Sequence, residues 1–201
     1  MATVTRIKLG ADDHGRQISY DDFIVSDTAE GYHYELIDGR LYVSPMPNLP
    51  ENVLEDWLGN KLRAYLASHP EVINYVSTKA RIFVPGRRRT TSPEPDLAAY
   101  RDFPLHLPRR QLRWQDVSPV LVAEIVSSDR EKDLVRNVTL YLAVPSIREY
   151  WVVDPQEDPD RPDLRVYRRH GQRWRIIEVP FGQSYTTKLL PGFELIVDPR
   201  R

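Results

Sequence analysis

The chain contains no cysteine. That excludes a disulfide framework and any thiolate metal site, and it fits a cytoplasmic protein. No apolar run approaches the ~18 residues that a membrane span needs, so no membrane partner is expected. The start, Met1-Ala2-Thr3-Val4-Thr5-Arg6, lacks the apolar core of a secretion signal. Neither sign of charge dominates: the net charge is -1, which excludes bulk attraction to nucleic acid as the basis of function. Histidine is sparse, and no two of His14, His33, His69, His106 and His170 have metal-ligand spacing. Internal repeats, low-complexity tracts and domain linkers are also missing.

What is present is an ordinary globular composition, 41% hydrophobic and 28% charged over 201 residues, enough for one well-filled core. Residues 1–18 show no periodicity and read as a loose N-terminal arm, with residues 19–201 as a single domain. Arginines gather locally at Arg87-Arg88-Arg89, at Arg109-Arg110, and at Arg165, Arg168, Arg169, Arg173 and Arg175. On a shared face they would contact phosphates. Taken one cluster at a time, they read as solvated loop charges and as edge charges that oppose sheet association.

The stretch from Val120 to Pro155 dominates the fold. Val120-Leu121-Val122-Ala123-Glu124-Ile125-Val126 is apolar on both alternating faces except at Glu124, the pattern of a strand covered on both sides in an α/β core. Ser127-Ser128-Asp129 breaks the strand and caps a helical stripe of Leu134, Val138, Tyr141 and Leu142, which Pro145 ends. Glu149-Tyr150-Trp151-Val152-Val153-Asp154 is a second strand. Strand, helix and strand at this spacing make a βαβ unit, so the two strands are predicted to be parallel.

Elsewhere, Ser19 caps a short helix that Gly31 is expected to end. Asp38-Gly39 joins His33–Ile37 to Arg40–Val43 as a hairpin. From Asn52, Val53, Leu54, Trp57, Leu58, Leu62 and Tyr65 recur at helical spacing until Ser68, before Pro70. Residues 72–76, 80–84 and 96–100 read as strands, and 101–118 as a long excursion. Leu164–Arg168 and Trp174–Val179 form a hairpin about His170-Gly171. Residues 186–190 and 193–197 are expected to complete a sheet edge.

An ionised carboxylate in a core strand must be paired, protonated or bound to metal. If the strand starting at Pro95-Asp96 neighbours the Glu124 strand, Asp96 and Glu124 lie side by side. Two hard oxygen ligands of this kind suit Mg²⁺ or Mn²⁺, with water and phosphate oxygens filling the shell. Glu35, in an early strand, adds a third acid. Each residue also has a purely structural reading. Glu124 could pair with an arginine such as Arg81, Asp96 could cap a turn after Pro95, and Glu35 could be a surface strand residue. Tyr141 and Trp151 read as core, with the Tyr141 hydroxyl within reach of the site, and Asp154 as a turn residue.

Several short motifs occur in order: Tyr34-Glu35-Leu36-Ile37-Asp38-Gly39, Pro95-Asp96, Glu124-Ile125-Val126-Ser127, Asp133 to Tyr141, and Glu149-Tyr150-Trp151-Val152-Val153-Asp154-Pro155. The series resembles the Uma-type restriction endonuclease family of the PD-(D/E)XK nuclease superfamily, from about Glu30 to Val179. The resemblance implies a restriction-endonuclease-like α/β fold, a central mixed sheet flanked by helices, here with extra β-hairpins. It further implies Mg²⁺ or Mn²⁺ at Asp96 and Glu124, Glu35 as an auxiliary acid, DNA as the partner, and a homodimer.

Two departures follow. The superfamily pattern places a lysine two residues after the glutamate, and that position is Val126. In the family the lysine instead comes from the following helix, where this chain has Asn137 within Asp133, Asn137, Tyr141. Asparagine orders water but carries no positive charge. The histidine often found after the first hairpin is also missing, with Glu51 and Asn52 near its place. Lys132 is the favoured substitute for the lysine, ahead of Arg136 and Lys79, with Asn137 helping to position water or phosphate. The expected function is metal-dependent endonuclease action on phosphodiester bonds in DNA. The alternatives are a catalytically degenerate nuclease-like fold that binds nucleic acid or protein, and, last, a hydrolase of small phosphate esters.

Overall fold

The computed structural model describes residues 6–127, 129–155 and 158–201. Its elements are β1 (Lys8–Leu9), α1 (Tyr20–Val25), β2 (Asp27–Thr28), β3 (Tyr32–Ile37), β4 (Arg40–Pro45), α2 (Leu49–Ser68), β5 (Tyr75–Ser77), β6 (Leu97–Tyr100) and β7 (Leu121–Ile125). A π-helical turn, Lys132–Arg136, then runs into α3 (Asn137–Leu142). The chain finishes with β8 (Glu149–Asp154), β9 (Asp163–His170), β10 (Arg173–Val179), β11 (Ser184–Thr187) and β12 (Leu190–Ile196).

Strand β7 is buried at every position, as its apolar run requires. It lies inside a six-stranded mixed sheet of order β10-β9-β8-β7-β6-β5. Strands β7 and β8 pair in parallel, and the other neighbours are antiparallel. One face, carrying Leu121, Ala123 and Ile125, packs under α2 and the β11–β12 hairpin. The opposite face, carrying Val122, Val126, Tyr150 and Val152, packs under Leu140 and Tyr141 of α3 and under Ala80, Ile82 and Val84. The β3–β4 hairpin stands apart with a small core of its own, and Asp38 (φ 50) and Gly39 (φ 71) supply the two left-handed residues its turn demands. No helix among the described residues is long and apolar enough to cross a membrane.

Several expectations need correction. Residues 7–18 are not a loose arm: Leu9 and Ile18 are buried against Tyr34, Leu36 and Leu41, and β1 pairs with β2. Their partners are distant in sequence, so no local period reveals them. The first helix ends at Val25, well before Gly31, because Ser26 turns extended and Asp27–Thr28 joins β1. Gly31 (φ 84) instead admits the turn into β3. Val53 is 52% exposed, off the buried stripe of α2.

Residues 80–84 alternate in burial but form no strand. Their amides reach Pro93 and Thr91 carbonyls, and a proline-bearing partner cannot return the ladder bonds. The segment expected as a strand at 72–76 pairs only over Tyr75–Ser77. The last two strands do not extend the central sheet. They form a separate hairpin across its face, where Tyr185, Phe193 and Leu195 join the main core. The two edges of the central sheet are β10 and β5.

Candidate active site

The register of β6 on β7 pairs Leu97 with Ala123 and Ala98 with Val122. Continued one step, it sets Asp96 opposite Glu124. Alternation along each strand then turns both side chains to the α3 face. The two backbones lock the pair: the Ile125 amide donates to Asp96 Oδ2 at 2.7 Å, and the Asp96 amide to Glu124 Oε2 at 3.3 Å. From α3, Asn137 Nδ2 and the Tyr141 hydroxyl each donate to Glu124 Oε1 at 2.8 Å. Spacing of four residues puts both donors on one helical face.

Glu35 arrives from β3. It is 1% exposed, since Tyr34 and Leu36 fill the hairpin core and alternation turns Glu35 the other way, toward the main body. Its Oε1 accepts the Glu94 amide at 2.9 Å, and its Oε2 accepts from Arg136 Nη2 at 2.7 Å. Lys132 Nζ lies 3.9 Å from the same Oε2. The Arg136 guanidinium is further held over the Tyr42 ring at 4.3 Å, and its Nε donates to Asn137 Oδ1. Tyr42 in turn hydrogen-bonds Asp129, whose Oδ1 caps the Lys132 amide.

Glu35, Asp96, Glu124 and Lys132 thus line one open cleft of about 500 Å³. Asn137 does not line it. Rather than positioning water or phosphate, it is fully buried and commits its amide nitrogen to Glu124 and its carbonyl to Arg136. Arg136 is likewise fixed on Glu35. Lys79 lines the cleft near its exposed rim. Arg81 pairs with Glu94 at 2.6 Å and not with Glu124.

Charge in the cleft is finely balanced. Burial pushes Asp96 up to about 7 and Glu124 to about 8, with Lys132 opposing the rise at both. Burial acts against the Lys132 ammonium too, but Glu35, Glu124, Asp133 and Asp96 outweigh it and raise its pKa above the ordinary lysine range.

Two participants escaped sequence reasoning. Asp133 lines the cleft, is 2% exposed, and is pushed up to about 8 by burial and by the Glu124 charge. Its Oδ1 is buried without a hydrogen-bond partner among the described residues. Glu94 binds both Glu35, through its amide, and Arg81. The available signals were an acid leading the Asp133–Tyr141 series and the Pro93-Glu94-Pro95 frame.

The donor set is one of hard oxygens, which suits Mg²⁺ or Mn²⁺. Among the described residues, no group of three or more His, Cys, Asp or Glu side chains could hold a metal ion unaided. The fit is therefore to a cation that takes two carboxylates from the protein and completes its shell with water and substrate oxygens, as Mg²⁺ commonly does. The unpartnered Asp133 oxygen adds an acceptor at the same wall.

A family model described as "Uma2: Putative restriction endonuclease" matches residues 20–198. The fold is similar to that in the "Crystal structure of a putative nuclease belonging to DUF820 from Anabaena variabilis ATCC 29413", with a TM-score of 0.64, 17% identity, and coverage of 90% of this chain and 95% of that one. No curated protein matches the chain.

Proposed function

Because the chain belongs to the Uma2 family, we propose that it is a metal-dependent endonuclease hydrolysing phosphodiester bonds in DNA, with Asp96 and Glu124 holding Mg²⁺ or Mn²⁺. One observation carries this reading: strand register sets the two carboxylates opposite each other on a buried wall of an open cleft that also presents a lysine. A bound divalent cation there supplies Lewis acidity toward a phosphoryl oxygen and acidifies coordinated water.

The chain's own groups divide the remaining work. Asn137 and Tyr141 tie up Glu124 Oε1, which fixes the carboxylate plane and leaves Oε2 on the Asp96 side. Lys132 stays protonated at neutral pH, so it does not take a proton from water. Its ammonium faces the negative charge that builds on the transferring phosphate, the kind of preorganised electrostatic aid whose removal costs about 10²–10³ in rate. Glu35 anchors Lys132 and Arg136 together, which holds the ammonium without a flexible search.

The second reading, a nuclease-like fold without catalysis, draws on Asn137 standing where the family's lysine is expected. Purified protein with Mg²⁺ or Mn²⁺ separates the two. The nuclease reading expects nicking of plasmid DNA, abolished by Asp96→Asn and by Glu124→Gln. Cleavage that persists in both variants would remove the assignment, and a wild-type protein that cuts nothing would leave the binding module.

A further inference from the structure

The long excursion 101–118 has no role in the reading above, yet it builds a second groove. Among the described residues, the groove of about 810 Å³ is lined by Phe103, Leu105, Leu107, Leu112 and Trp114 of that segment, by Tyr20, Ile24 and Tyr75 from earlier in the chain, and by Arg81, Arg109, Arg113 and Gln115. Three features distinguish it from a random dent. No aspartate or glutamate lines it, whereas the neighbouring cleft is walled by acids. Arg81 and Ile24 line both spaces, so the groove adjoins the cleft. Its floor is a fixed aromatic stack, with Tyr75 on Phe103 at 4.1 Å between ring centroids and Trp114 edge-on to Phe103 at 6.2 Å.

Apolar and aromatic surface beside guanidinium groups is the chemistry that holds unpaired nucleobases, through stacking and through charge contact with the strand. Duplex bases, already stacked and paired, offer no ring face to such a groove. We propose that the groove is a subsite for an unpaired nucleobase next to the phosphate in the cleft, so that single-stranded or locally opened DNA is the preferred substrate. This rests on the nuclease reading of the cleft, and it deepens that reading by naming the form of the strand. Arg109, which makes no ion pair among the described residues, meets the flanking phosphate. Arg113 is shared with Asp116 at 2.9 Å and orients the rim. Leu105, 58% exposed at the mouth, covers the outer face of the base.

The test uses fluorescence anisotropy of labelled strands in EDTA, where cutting is blocked. A single strand carrying bases is expected to bind wild-type protein about tenfold more tightly than a base-free strand of equal length, the scale of one stacked base. Leu105→Glu, at an exposed site, puts a carboxylate in the groove and is expected to erase that preference without changing base-free binding. Arg109→Glu, at the residue that meets the flanking phosphate, is expected to weaken base-bearing and base-free strands alike, since both carry that phosphate. Equal binding of the two strands by wild-type protein overturns the proposal, as does an unchanged preference in Leu105→Glu. Cleavage assayed separately with Mg²⁺ keeps the two ideas apart. A protein that cuts but ignores bases loses only the subsite, and one that prefers bases but never cuts loses only the nuclease reading.

Discussion

Asp96 and Glu124 face each other on adjoining strands, and burial makes each reluctant to ionise. Their folded values of about 7 and about 8 lie above the ordinary 3.8 and 4.5, so the folded chain binds these protons more tightly than the unfolded one. Stability from the pair is therefore complete below about pH 4 and is lost as pH rises through about 7 to 8. A divalent cation needs both groups ionised and opposes that loss. In EDTA the melting temperature is expected to fall between pH 6 and pH 8.5, and Mn²⁺ should raise it more at pH 8.5 than at pH 6. An equal Mn²⁺ shift at both pH values would remove the pair as ligands. Glu124 was legible in the sequence as the one acid in an apolar strand. Glu35 was not legible from its own strand, because its arginine partner lies 101 residues away.

The turn Lys132–Arg136 shows how an element sets a side chain. A π-helical turn holds one residue more than an α-turn, and such turns are frequent at functional sites. Here it swings Lys132 into the cleft while Asn137 and Tyr141 keep their grip on Glu124. Val135 is exposed within it, and its deletion is expected to restore α-geometry and rotate Lys132 by roughly 100°. Metal-dependent cleavage should then fall at least as far as in Lys132→Gln, while Mn²⁺ binding by calorimetry persists. Retained cleavage would show that Lys132 is not the acting cation.

A second element depends on one buried acid. Glu149 accepts hydrogen bonds from Trp151, Arg168, Tyr185 and Thr187, and so pins the β11–β12 hairpin to the central sheet. Arg168 is over a third exposed and can turn to water, but the other donors lose a buried acceptor. Glu149→Ala is expected to cost about 3 kcal/mol in urea unfolding. Amide exchange should quicken first at Tyr185 and Leu195, and uniform loosening of all strands would contradict the hairpin's dependence on this anchor.

Across the whole molecule, residues 7–18 close the β3–β4 core, which in turn carries Glu35. Removing residues 1–18 takes Leu9 and Ile18 from that core, at about 1.5–3 kcal/mol each. A melting temperature lower by roughly 10 °C is expected, with loss of the Glu35 contacts to Lys132 and Arg136. An unaltered melting curve would restore the picture of a loose arm.

Local physics made much of the fold readable: the Asp38-Gly39 turn, the buried stripe of α2, and the parallel β7–β8 unit each depend on neighbours in sequence. The ordered motifs likewise point to Asp96 and Glu124, which the β6–β7 register sets opposite each other. Tertiary packing decided the rest. It folded the terminal hairpin over the sheet face, made Asn137 a brace for Glu124, and brought Asp133 and Glu94 to the cleft. Those outcomes depend on which distant surfaces meet and on how charge is shared once water is excluded. Neither leaves a periodic trace in the chain.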